Sequence, residues 1–217
     1  DEPASVFRGK FAVCADGHPQ AYHPKGSPPG LDLTANAGRP GKWWGVVTDD
    51  NTTAGTPIIQ GAADPAPGFY VSTTALVDPS KPLNSPGRYV HAGDVPYIVL
   101  PLQVYKQFCP APKTLRLGDV GVVYYFRTGR FVYAICGELG PPQLLGEGSI
   151  RLAELLGIAN ASPVNGGVSN RELLYVVFPG TGNGKLQSND AIETLAEAAF
   201  RNWGGLDRLS SHAPKLT

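Results

Sequence analysis

The stretch Asp119-Val-Gly-Val-Val-Tyr-Tyr-Phe126, Arg127-Thr-Gly129, Arg130-Phe-Val-Tyr-Ala-Ile-Cys-Gly-Glu138 decides the fold class. Two runs rich in β-branched and aromatic residues are separated by three residues ending in glycine. That spacing predicts a β-hairpin with Gly129 at positive φ. Working outward, Tyr97–Leu102 (Tyr-Ile-Val-Leu-Pro-Leu) reads as a buried strand with Pro101 near its end, and Leu173–Phe178 as another. Upstream, Phe11–Ala15, Gly45–Thr48, Pro57–Gln60 and Phe69–Thr74 are short apolar runs set among Pro- and Gly-rich connectors.

Two helices complete the pattern. Ser149 is placed to cap a short one carrying Leu152, Leu155 and Leu156, with Gly157 as its stop. The longer one runs from Asn189 to Trp203. Ile192, Leu195, Ala196, Ala199, Phe200 and Trp203 form its apolar stripe, and Gly204-Gly205 ends it. Trp203 belongs to that stripe and is expected in the core. The expected class is α+β: a mainly antiparallel, barrel-like sheet, with a double-psi arrangement as one form, and two peripheral helices.

Composition agrees. The 217 residues fit one domain, taken as 1–217, and 27 Gly with 21 Pro signal many turns and little long helix. Lys+Arg and Asp+Glu are 18 each, so the net charge is zero. That balance argues against a nucleic-acid partner or a polybasic membrane surface. No apolar run reaches 18 residues, so no membrane span is expected. Met is absent and the chain opens Asp1-Glu2-Pro3-Ala4, which reads as a mature end after signal-peptide removal and implies secretion. In that context Cys14, Cys109 and Cys136 allow one disulfide, with Cys14–Cys109 the expected pair and Cys136 packed as a small hydrophobe. Asn51-Thr52-Thr53 is a clear sequon, and Asn160-Ala161-Ser162 a poorer one before Pro163.

The chemistry is carried by Glu138 and Glu147, nine residues apart across the Gly140-Pro141-Pro142 turn. Strand alternation puts Ala134, Cys136 and Glu138 on one face, so Glu138 has small neighbours and room for a ligand. No basic residue lies between Arg130 and Arg151. Two acids facing each other without a counter-ion separate into one protonated acid and one ionised base, as glycoside hydrolysis requires. Taken alone, Glu138 also reads as a solvated strand end, and Glu147 as an acid at a helix N-terminus. Asp119, at the start of the partner strand, is a third catalytic candidate, though it also reads as a turn residue after Gly118. Asp16 and Asp94 are candidate cleft residues with the same ambiguity. Trp44, Tyr22 and Tyr70 could pack against sugar rings, and adjacent Trp43 and Trp44 on a strand would point to opposite faces. The four His offer no metal-ligand spacing, and no cofactor motif is present: Gly180-Thr-Gly-Asn-Gly184-Lys185 lacks phosphate-loop spacing and reads as a turn.

The block Tyr133-Ala134-Ile135, Gly137-Glu138-Leu139-Gly140-Pro141 and Gly146-Glu147-Gly148-Ser149-Ile150-Arg151-Leu152-Ala153 resembles the signature of the glycoside hydrolase family 75 chitosanases. The family pattern is a strand ending Gly-Asp-x-Gly-Pro, then Gly-Glu-Ala-Ser entering a helix, with that Asp and Glu as its catalytic acids. These fall on Glu138 and Glu147. Asp16-Gly17 with Ala21-Tyr22, and Asp94-Val95-Pro96-Tyr97 through Pro101, are similar to its N-terminal elements, so the likeness spans roughly residues 11–160. It implies a secreted, inverting endo-hydrolase of β-1,4-linked glucosamine polymer, active as a monomer. Chitin or peptidoglycan glycan as substrate, or a non-catalytic polysaccharide-binding module, are the alternatives. Position 138 departs from the pattern, since Glu stands where the family has Asp. The extra methylene moves the carboxylate by about 1 Å, a displacement that can cost on the order of 100-fold in rate.

Overall fold

A computed structural model describes residues 3–101, 115–142 and 144–212. In chain order the strands are β1 (Ser5–Cys14), β2 (Gly38–Arg39), β3 (Lys42–Trp43), β4 (Tyr97–Pro101), β5 (Val120–Tyr125), β6 (Arg130–Gly140), β7 (Glu147–Ser149) and β8 (Val168–Phe178). The α-helices are α1 (Thr34–Ala37), α2 (Ile150–Leu156), α3 (Asn189–Trp203) and α4 (Gly205–Ser211).

Six strands close into a barrel in the order β1-β7-β4-β6-β5-β8, and β2 and β3 form a separate small sheet. The class is α+β, as expected. The barrel is mixed rather than mainly antiparallel in its site-bearing half, because β1/β7 and β4/β6 are parallel pairs. The hairpin β5/β6 is present with Gly129 at φ 70°, and β8 pairs with both β5 and β1. Of the four short upstream runs, Phe11–Ala15 falls largely within β1. The other three lie in loops joined by the isolated bridges Val46↔Ser72, Thr48↔Pro57 and Ile59↔Tyr70. They are too brief, and too interrupted by Pro and Gly, to propagate a ladder.

Alternate residues of the barrel strands point inward. Phe11, Val13, Ile98, Leu100, Val123, Ala134, Cys136, Tyr175 and Val177 fill the interior with Leu152, Ala153 and Leu156 of α2. The Ser149 Oγ accepts the Leu152 N–H at 3.1 Å and caps α2, and Gly157 closes it in the left-handed conformation. The α3 helix lays Ile192, Ala196, Ala199, Phe200 and Trp203 on the outer face of the barrel, while Leu195 is 37% exposed. Each large apolar side chain buried this way contributes about 1.5–3 kcal/mol.

Cys14 and Cys136 are buried free thiols. Cys136 packs in the interior as expected. The expected Cys14–Cys109 disulfide does not form at its Cys14 end, because that thiol faces buried acids instead; Cys109 lies outside the described residues. No helix among the described residues is long and apolar enough to cross a membrane.

Candidate active site

The two carboxylates converge on one residue of β4. Val99 is the register partner of Glu138 on β6 on one side and of Glu147 on β7 on the other. Residues level with one another across a sheet point to the same face, so both acids stand over the same buried valine. Two inter-strand steps put their Cα atoms about 10 Å apart.

A register shift makes this possible. Ile98 pairs with Cys136, but the next residue, Val99, pairs with Glu138, leaving Gly137 as a bulge. Strict alternation would send Glu138 into the barrel with Ala134 and Cys136. The bulge turns it to the outer face, correcting the shared-face expectation. Just before β7, Gly146 at φ 96° brings the chain so close to β1 that a Cβ would strike the Lys10 carbonyl, and its own carbonyl accepts the Ala12 N–H at 2.9 Å. Glu147 is therefore set beside Ala12 as well as Val99.

The two acids are held differently. Glu138, only 8% exposed, accepts the Ala75 N–H on Oε2 at 2.9 Å and the Leu139 N–H on Oε1 at 2.7 Å. Oε2 of Glu147 is buried and has no hydrogen-bond partner among the described residues. Gly140 lies beside it, where a Cβ would stand 3.2 Å from that oxygen and 2.8 Å from Val99 Cγ1. The missing side chain leaves space next to the free oxygen.

Asp16, just past the end of β1, joins the pair. Its Oδ1 accepts the Tyr22 hydroxyl at 2.6 Å, and its carbonyl accepts the Tyr97 hydroxyl at 2.9 Å. The Cys14 thiol lies within hydrogen-bonding reach of Asp16 and Glu147. Burial raises Asp16 to about 6, and burial together with the Asp16 charge raises Glu147 to about 7. Burial, then Asp16, pushes Glu138 well above the usual carboxylate range, against the pull of its two amide donors. Asp32, 5% exposed and hydrogen-bonded to the Leu33 N–H and the Asn36 side-chain amide, adds further negative charge. Among the described residues no lysine or arginine is a source of these shifts.

A family model described as fungal chitosanase of glycosyl hydrolase group 75 matches residues 73–203, more than half the chain. The chain belongs to this family. It is a chitosanase-like glycoside hydrolase with a polysaccharide substrate, and the matched segment contains both Glu138 and Glu147. No curated protein matches the chain. Asp16, Cys14, Tyr22 and Asp32 come from residues before the family match.

The remaining candidates of this family 75 chain are dispersed. Asp119 is fully buried, with Oδ1 accepting the Gly182 N–H at 2.9 Å and Oδ2 the Arg116 N–H at 2.7 Å; it ties two turns together and does not join the acid cluster. Asp94 is exposed and lies 3.4 Å from His91, whose ring packs at a tilt on His18, centroids 4.5 Å apart. Tyr22 is 2% exposed, so its hydroxyl, not its ring face, serves the site. Trp43 is buried and Trp44 is 57% exposed, the opposed pair expected. A cavity of about 390 Å³ beside both Trp is also lined by Thr73, two residues from the amide that holds Glu138. Tyr70 packs its ring 5.9 Å from Trp43. Asp32 and the Ala75 amide are absent from the sequence reading, and Cys14 enters it only as a disulfide partner, not as a site residue. Cys14 lies two residues from Asp16 and Asp32 sixteen, neither spacing marks a site, and a backbone amide leaves no trace in a sequence.

Proposed function

We propose that this family 75 chain is a secreted, single-domain, monomeric endo-hydrolase of β-1,4-linked glucosamine polymer, acting with inversion. A polymer too large to enter a cell is consistent with action outside it. The observation that carries the reading is the shared register of Glu138 and Glu147 on Val99, together with their unlike hydrogen bonding. Glu147, whose buried Oε2 has no partner among the described residues and can carry a proton toward the substrate, is the general acid. Glu138, whose two oxygens each accept a backbone amide, is the base that orients water. Glu147 gives its proton to the leaving glycosidic oxygen as the C1–O bond breaks. Water attacks C1 from the opposite face and yields its proton to Glu138. Inversion requires carboxyl groups about 6.5–9.5 Å apart, which Cα atoms two strands apart can supply. Trp44, Tyr70 and the adjoining cavity hold flanking sugar units.

The test is release of new reducing ends from chitosan, chitin and peptidoglycan by the wild type and by Glu147→Gln. Cleavage of chitosan that disappears in the folded variant supports the reading, and retained cleavage by Glu147→Gln overturns it. Preferred cleavage of chitin or peptidoglycan would move the substrate to another amino-sugar polymer.

A further inference from the structure

The general acid–base pair is assembled by the family-matched segment, yet a carboxylate whose charge acts on both acids, Asp16, comes from outside it. Asp16 sits on the chain just past Cys14, whose register partner is Ser149, so it emerges beside the C-terminal end of β7. Tyr97 precedes Val99 by two residues on β4 and shares its face; its hydroxyl reaches over that face to the Asp16 carbonyl at 2.9 Å. The Tyr22 hydroxyl fixes Oδ1 at 2.6 Å. One backbone contact and one side-chain contact thus fix Asp16 beside the face that carries Glu138 and Glu147.

We propose that Asp16 is a positioning residue for the catalytic pair, whose charge, oriented by Tyr22, sets the pH range over which Glu138 and Glu147 together hold a single proton. The proposal rests on the assignment of those two acids. The groups facing Asp16 are Cys14 on β1, Tyr22 and Asp32 from the N-terminal loops, Tyr97 on β4, Glu138 on β6 and Glu147 on β7. Every one is acidic or neutral, so no opposing charge among them cancels the field of an ionised Asp16. That field raises both acids in the same direction, which moves both limbs of a bell-shaped rate profile together rather than widening it.

The experiment measures kcat/KM on soluble chitosan from about pH 4 to about pH 8 for wild type, Asp16→Asn, Asp16→Glu and Tyr22→Phe, with Glu147→Gln in parallel. Asp16→Asn removes the charge at constant shape, so both limbs move to lower pH by roughly one pH unit. Asp16→Glu keeps the limbs near their wild-type positions even where the maximum falls. Tyr22→Phe weakens the ionised form of Asp16 and shifts the acidic limb the same way by less. If Asp16→Asn does not fold, the acidic limb of Tyr22→Phe decides. Limbs that stay in place while only the maximum falls make Asp16 a structural residue and overturn the proposal. An inactive Glu147→Gln alongside unmoved limbs overturns this inference alone, whereas an active Glu147→Gln overturns the underlying assignment.

Discussion

Glu138 and Glu147 stand level on either side of Val99, although one reaches β4 through a parallel pairing and the other through an antiparallel one. Nine residues of sequence cover that span because β6 runs directly into the Gly140-Pro141 turn and β7 returns on the far side of β4. The Gly137 bulge supplies the last element by turning Glu138 outward. A deletion of Gly137 would therefore displace the base without touching any charged group.

The longer side chain at position 138 is matched to its surroundings. Ala75 lies 63 positions away in sequence and donates to Oε2 at 2.9 Å, while the adjacent Leu139 amide donates to Oε1. Glu138→Asp shortens the reach by one methylene and loses the Ala75 bond. The expected result is a fall in kcat of about 100-fold on chitosan, although the family pattern has Asp at this position. Glu138→Gln should be inactive and folded. Steady-state rates with circular dichroism on each variant provide the check.

Gly140 keeps open the space beside the free oxygen of Glu147. A Cβ there would lie 2.8 Å from Val99 Cγ1 and 3.2 Å from Glu147 Oε2. Gly140→Ala should cost roughly 1–3 kcal/mol of stability from overpacking. Its kcat should fall by at least about tenfold even at temperatures where it is fully folded, because the acid is pushed from its line to the leaving oxygen. A denaturation curve and a rate measured on the same preparation separate the two effects.

How much of this was legible follows from the range of each interaction. The β5/β6 hairpin, the Ser149 cap and the α3 stripe depend on residues within a few positions of one another, and all three stand where the sequence puts them. The parallel pairs do not. Ala12 meets Glu147 across 135 positions of chain, and nothing local marks that partnership. The bulge is equally silent, since a single glycine in a strand does not say which ladder it interrupts. The acid pair was visible because both members sit in one short segment. Asp32 and Cys14 became part of the site only through tertiary contacts.

The buried acids also govern stability against pH. Glu147 moves from 4.5 to about 7 and Asp16 from 3.8 to about 6, both chiefly by burial. Each holds its proton more tightly when folded, so its stabilising contribution is complete below the unfolded value and is lost as pH rises through the folded one. His18, lowered to about 4 by burial and then by His91, acts in the opposite sense but is one group against several. Tm should be roughly 4–8 °C higher near pH 5 than near pH 8. Glu147→Gln should reduce that difference, as calorimetry at both pH values would show.

Trp44 is exposed, and its indole N–H donates to the Asn36 carbonyl at 2.8 Å. Trp44→Ala should leave Tm nearly unchanged. Loss of a ring that packs on a sugar unit removes binding common to ground and transition states, so KM for long oligomers rises by roughly 2–10-fold with kcat retained. Equal KM for variant and wild type would remove Trp44 from the sugar path.

Asp119 provides the contrast with the proposed catalytic pair. Both of its oxygens are filled, by the amides of Gly182 and Arg116, and its carbonyl accepts the Cys136 N–H at 2.7 Å. Asp119 is not among the charges that shift Asp16, Glu138 or Glu147, so it stands apart from that cluster. Asp119→Ala strands two buried amides, at about 1–3 kcal/mol for each donor left unsatisfied, and loosens the turn that starts β5. Stability should fall by that order, while kcat per folded molecule and both limbs of the pH profile stay as in the wild type. A moved limb, or a loss of kcat greater than the loss of folded protein, would return Asp119 to the catalytic group.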